Sequence, residues 1–151
     1  MSTPAGSNRP PRAADSPLAR RICAILSTRV EVLEAYLFGS QATGRARAHS
    51  DIDVAVYVDE GRAGRDGFGY QAELGAELIS GLGTNDVDLV ILNHAPPVLY
   101  HRVLRDGHRI LSRDLRATTT REGYAMSRYC DYLPQLAKIE AARRGRAGDT
   151  K

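Results

Sequence analysis

Tryptophan is absent from this chain, and its 151 residues include only two phenylalanines, two methionines and two cysteines. With so few large rings, a core must be assembled from Leu, Val, Ile and Ala. Cys23 and Cys130 stand far apart with no paired spacing, which suits neither a zinc cluster nor a disulfide framework. Both fall at helical positions beside apolar neighbours and read as buried thiols. The N-terminus is polar and proline-rich, with no apolar signal core. No apolar run approaches the ~20 residues that cross a bilayer. These absences lead to the expectation of one cytoplasmic domain, without membrane attachment or internal repeat.

What is present is ordinary for a globular protein: 42% hydrophobic and 26% charged residues. The net charge is +3 and the pI about 9.1, carried almost wholly by arginine. Arg143, Arg144 and Arg146 crowd the C-terminus without aromatic residues to stack bases. A solvated basic tail is therefore preferred over a nucleic-acid surface. The proposed organisation is a disordered tail over 1–15, one domain over 16–141, and a flexible basic tail over 142–151.

Within the domain, Ser16-Pro17 marks a helix start, and Leu18, Ile22, Ile25 and Leu26 recur at helical spacing, predicting a helix over 17–29. Strands are expected over 32–38, 52–58 and 87–92. A flexible Gly-rich loop is expected over 59–67 and a helix over 68–81, with Leu74, Leu78 and Ile79 facing the core. Pro96-Pro97 opens a helix that Gly107 stops, and Arg109 to Leu111 reads as an edge strand or a turn. A long helix over 115–141 carries Met126, Tyr129, Cys130, Leu133, Leu136 and Ala137 as its apolar stripe, with a kink at Pro134. Tyr124, Tyr129 and Tyr132 read as packing residues.

The chemistry concentrates between Ala35 and Tyr57. A strand ends at Gly39-Ser40, a short helical turn follows, and a second strand opens with Asp51-Ile52-Asp53. Residues two apart in a strand share a face, so Asp51 and Asp53 project together while Ile52, Val54, Val56 and Val58 line the other side. Aspartate is disfavoured in strands. Two at the head of an apolar strand suit shared coordination of a hard cation. Gly39 permits close approach of a ligand to the backbone. Ser40 is expected to cap the following turn and to offer its hydroxyl to a phosphate oxygen. Metal-bound nucleoside triphosphate satisfies both halves. Arg45 and Arg47 are equally well read as phosphate contacts or as solvated loop charges. His49 reads as surface, and His94 and His101 have no assigned role in the chemistry.

Gly39-Ser40, ten intervening residues and Asp51-Ile-Asp53 resemble the signature of the nucleotidyltransferase superfamily, the DNA polymerase beta-like fold. The third carboxylate of that family is matched by Asp88, which heads Leu89-Val-Ile-Leu92, with Asp86 at the start of the strand. The family often carries an arginine after the Gly-Ser pair, where Gln41 and Thr43 stand here. Over about residues 17–140, including Ala95-Pro-Pro-Val-Leu99 and Tyr129-Cys-Asp-Tyr-Leu-Pro134, the chain is similar to small bacterial minimal nucleotidyltransferase (MNT) domains. The resemblance implies an α/β (α+β) fold, a mixed palm-like sheet flanked by helices. It implies Asp51, Asp53 and Asp88 as catalytic and metal-binding residues, Gly39 and Ser40 as nucleotide-binding residues, two magnesium ions, and ATP as co-substrate. The implied partner is a HEPN-family ribonuclease toxin, and the implied reaction is AMP transfer to a toxin tyrosine. No large second domain for a small substrate is evident, which favours a protein acceptor. The alternatives are an antitoxin acting by stoichiometric binding, and transfer to a small molecule or nucleic acid.

Overall fold

The computed structural model describes residues 13–46, 50–64 and 67–148. A single 3-10 turn, Ala13–Asp15, precedes helix α1, Pro17–Ser27. The Ser16 hydroxyl accepts from the Ala19 amide at 3.1 Å, and Pro17 occupies the first turn, where its missing N–H costs nothing. Strand β1 is Val32–Phe38, followed by the one-turn helix α2, Ser40–Thr43, and strand β2, Ile52–Val58. A short helix α3, Glu60–Ala63, and a longer α4, Gly67–Leu82, lead to strand β3, Val87–Ile91. Helix α5, Pro97–Asp106, strand β4, His108–Ser112, and helix α6, Leu115–Gly148, complete the chain.

The strands form one mixed sheet in the order β3-β2-β1-β4. β1 runs antiparallel to both β2 and β4, and β2 runs parallel to β3. A parallel pair needs a long crossover, which α3 and α4 supply. The expected mixed sheet flanked by helices is what the chain forms.

Alternation divides the sheet into two faces. One buries Val32, Ala35, Leu37, Ile52, Val54, Val56 and Leu89 against Ile22 and Leu26 of α1 and Tyr70, Leu74 and Leu78 of α4. The other packs Tyr36, Phe38 and Ala55 against Tyr100 and Val103 of α5 and Ala125 of α6. Asp53 shares the second face with Ala55, two residues further along β2. Arg113 ties the molecule's edges together, donating to the carbonyls of Ser27, Arg29 and Val32 at 2.9–3.1 Å.

Several expectations are corrected. The segment after β2 is a capped helical turn, not a flexible loop throughout: Asp59 accepts from the Gly61 amide at 3.1 Å. Residues 65 and 66 of that loop lie outside the described residues, as do residues 1–12 of the expected N-terminal tail. Helix α6 continues through Pro134 to Gly148, so most of the expected flexible basic tail is helical. Its Ala, Lys, Glu and Arg residues are strong helix formers, which sustain the helix without packing. Thr118 and Ala125 are its buried residues, while Met126 and Leu133 are about 40% exposed and Tyr124 is 73% exposed. Of the expected apolar stripe, Met126, Cys130, Leu133 and Ala137 are exposed, and Tyr129 and Leu136 are half-buried. Cys130 on it is exposed and Cys23 is half-buried, so neither thiol is fully buried.

Candidate active site

The turn after β1 is set by Gly39, whose φ of +70° lies in the left-handed region that side chains rarely tolerate. Space requires glycine as well. A Cβ at this position would stand 2.0 Å from Asp53 Oδ2. The backbone of the turn is therefore laid directly against the Asp53 carboxylate. Gly39 itself is the N-cap of α2, and Ser40 is the first helical residue. This corrects the expectation that Ser40 caps the turn. The helix starts one residue earlier because Gly39 can take the strained conformation. The Ala42 and Thr43 amides are tied to the Gly39 carbonyl at 3.1 and 3.2 Å. The amides of Ser40 and Gln41 open the helix and have no intrahelical acceptor.

The register of the sheet assembles the carboxylates. Phe38 pairs with Asp53 across β1–β2, and Asp53 pairs with Asp88 across the parallel β2–β3 ladder. Paired residues of neighbouring strands share a face, so Asp53 and Asp88 project together, with Asp51 two residues before Asp53. The Ile52 amide donates to the Asp86 carbonyl at 2.7 Å, which locks the start of both strands. Asp53 is half-buried, while Asp51 and Asp88 are exposed. Burial raises the Asp53 pKa above the ordinary carboxylate value, and the nearby charges of Asp88 and Asp51 raise it further. Among the described residues, no hydrogen-bond donor or cation pairs with any of the three carboxylates. Such a set, all oxygen and mutually repelling, has the donor chemistry of a hard divalent cation. As placed, no three His, Cys, Asp or Glu side chains among the described residues are grouped closely enough to hold one ion.

The remaining sequence candidates separate. Arg45 is exposed at the end of α2, and Arg47 and His49 lie outside the described residues. His94 pairs with Glu60, beyond the far end of β2. His101 stacks on Tyr129, with ring centroids 3.7 Å apart and planes within 2°. Two features escaped the sequence. His108 Nε2 meets the Ala42 carbonyl at 3.0 Å, anchoring α2 to β4. Glu34, fully buried mid-strand, accepts from Arg121 Nε at 2.7 Å. A glutamate inside an apolar strand was the available signal for that second feature; nothing local marked the first.

Residues 20–116 match the family described as polymerase beta, nucleotidyltransferase, and the chain belongs to that family. Within it, the chain is similar to a protein adenylyltransferase and to members of toxin–antitoxin complexes. A curated relative from Aphanizomenon flos-aquae (strain 2012/KM1/D3), named protein adenylyltransferase MntA, is 37% identical over 78 residues, 47% of this chain. The match spans about half of that relative's length, 51%. A crystal structure of the toxin–antitoxin MntA–HepT superposes with a TM-score of 0.64 at 26% identity, covering 83% of this chain and 97% of that one. A re-refined structure of the tri-AMPylated Shewanella oneidensis HEPN toxin in complex with MNT antitoxin matches equally well, at 26% identity and TM-score 0.64 over 83% and 96% of the two chains. A toxin–antitoxin structure with AMP-PNP matches at 26% identity and TM-score 0.59, over 87% of this chain and 96% of that one. Among the described residues, no helix is long and apolar enough to cross a membrane.

Proposed function

We propose that this protein is an antitoxin that transfers AMP from ATP to a tyrosine hydroxyl of a cognate HEPN-family ribonuclease toxin and so silences it. The observation that carries the reading is the contact of the Gly39 turn with Asp53, itself in register with Asp88. That contact sets a phosphate-suited turn against Asp53, one of the carboxylates suited to a cation. The matched complexes of MNT antitoxins with HEPN toxins, one toxin of them AMPylated, support the choice of acceptor.

In this reading the triphosphate lies over Gly39-Ser40. The Ser40 hydroxyl and the opening amides of α2 hold its oxygens. Asp51, Asp53 and Asp88 would hold magnesium, which supplies charge neutralisation and eases ionisation of the acceptor hydroxyl. Asp88, exposed at the strand head, takes the tyrosine proton on its carboxylate. The tyrosine oxygen forms a bond to the α-phosphorus as the bond to the bridging oxygen breaks, and pyrophosphate leaves. Catalysis is mostly positioning and charge stabilisation. The exposure of Asp51 and Asp88 leaves room for an acceptor as large as a protein.

The test is intact-mass analysis of the partner after incubation with this protein, ATP and magnesium. Mass increases matching whole AMP units are expected, with a sub-stoichiometric amount silencing an excess of toxin. Neither should occur with Asp51→Asn or Asp53→Asn. A stoichiometric binder is the second reading, and the ungathered carboxylates favour it. It predicts full neutralisation by both variants at equal dose without ATP.

A further inference from the structure

On the same sheet face as the aspartates, but at its other end, β2, α5 and α6 enclose a cleft of about 340 Å³. That volume is within the usual range of small-molecule sites. Its walls include Tyr57, Leu92, Tyr100, Tyr124, Ala125 and Arg128. Tyr57 lies four residues beyond Asp53 along β2, about 13 Å at the rise of a strand. The cleft is therefore separate from the carboxylate site.

Three observations point to an occupant. The first is composition: tyrosine rings, Leu92 and Ala125 make an apolar, aromatic wall, and no carboxylate lines it among the described residues. The second is an orphaned group in that wall. Tyr100 is 4% exposed, and its buried hydroxyl has no hydrogen-bond partner among the described residues. Leaving such a group unpaired is unfavourable, and a ligand atom can relieve it. The third is an uncommitted cation. Arg121, which also lines the cleft, is spent on Glu34 and lies 5.0 Å over the Tyr57 ring. The Asn93 amide is spent on the backbone of Val58, at 2.7 and 2.9 Å. Arg128, two turns along α6 from Arg121, has neither an ion pair nor a hydrogen bond among the described residues.

We propose that this cleft binds a planar ring bearing an anionic group, with the ring against the apolar wall and the anion on Arg128. A tyrosine-lined wall takes the flat face of a ring, and a free guanidinium takes a carboxylate or phosphate with paired donors. Both anions share this chemistry. The site is independent of the transfer reaction and does not rest on it.

The experiment uses the full-length protein, isotopically labelled, without magnesium. The probes are indole-3-acetate with its neutral amide, and AMP with adenosine. At least one anionic probe is expected to shift the amide resonances of Tyr57, Tyr100, Tyr124 and Ala125. Its neutral counterpart should bind about tenfold more weakly, the equivalent of 1.4 kcal/mol. Shifts with indole-3-acetate assign a carboxylate ligand, and shifts with AMP a phosphate. Arg128→Glu should weaken binding tenfold or more, and Arg128→Lys, which keeps the charge but loses the paired donors, should fall between it and the parent. Arg128 is exposed and unpaired, so neither variant threatens folding. Asp53→Asn should bind the probes as the parent does, even if it transfers nothing. The proposal is overturned if neither anion shifts the cleft, if shifts fall around Gly39 and Asp53 instead, or if Arg128→Glu binds unchanged.

Discussion

One face of one sheet carries carboxylates at both ends, and the two ends are treated in opposite ways. At the β1 start, Glu34 is fully buried, with Oε1 held by Arg121 and Oε2 without a hydrogen-bond partner among the described residues. Beside it Glu122 accepts from the Tyr36 hydroxyl at 2.7 Å and from Arg109 at 2.9 and 3.0 Å. Burial and the neighbouring Glu122 charge push the Tyr36 phenol far above its usual range, so it stays a donor. At the other end, Asp51, Asp53 and Asp88 have no such partners among the described residues, and Asp53 is pushed towards protonation. A carboxylate that serves the fold is given a partner when it is buried. A cluster left without one is suited to a cation from solution. The contrast is what the proposed site at Asp51, Asp53 and Asp88 rests on.

The strongest way to break the paired end is Arg121→Ala. It leaves Glu34 buried without its cation, and a loss of about 3–5 kcal/mol is expected in urea unfolding. Adding Glu34→Gln should recover part of that loss; no recovery would mean that the pair is not the source. The unpaired end answers differently. Asp53→Asn is expected to cut AMP transfer at least about a hundredfold, the scale of one lost electrostatic stabiliser, with the far-UV circular dichroism unchanged. Unimpaired transfer by this variant would remove Asp53 from the site.

Gly39→Ala probes the contact between turn and carboxylate. The left-handed φ alone costs on the order of 1–3 kcal/mol, and the new methyl must displace Asp53. Both stability and transfer should fall together; retained transfer at reduced stability would show that the close approach is structural. The smallest effect is the most diagnostic. The folded Asp53 has a raised pKa, so its ionisation opposes folding at neutral pH. That cost is absent below the unfolded carboxylate value near 3.9, and it grows as pH rises through the raised folded value. Asp53→Asn should therefore be slightly more stable than the parent at neutral pH without metal. The difference should vanish in acid and reverse with magnesium. Equal thermal unfolding at neutral pH would contradict the repulsion.

Much of this arrangement is legible in the order of the amino acids. β1 and β2 were readable because their apolar alternation is bounded by Gly39-Ser40 on one side and Asp51 and Asp53 on the other. The shared face of Asp51 and Asp53 follows from strand periodicity, which is local, whereas the mixed sheet was implied by the family resemblance. Helix α6 shows where locality stops. Its apolar period predicted a helix, but period alone does not say whether anything covers the stripe, and here Met126 and Leu133 face solvent. The cap of α2 was misplaced for a related reason: Ser is the usual cap, but contact with Asp53 admits no side chain at residue 39.

Residue type and spacing along a strand are enough to mark which residues can do phosphate and cation chemistry. Tertiary structure decided which of them meet. Asp88 faces Asp53 rather than the α1–α4 core only because β3 adds to β2 in this parallel register, and a slip of one residue would turn it away. Glu34 and Arg121, 87 residues apart, find each other only when α6 crosses the sheet. Pairing across such distances depends on long-range packing, and no local pattern encodes it.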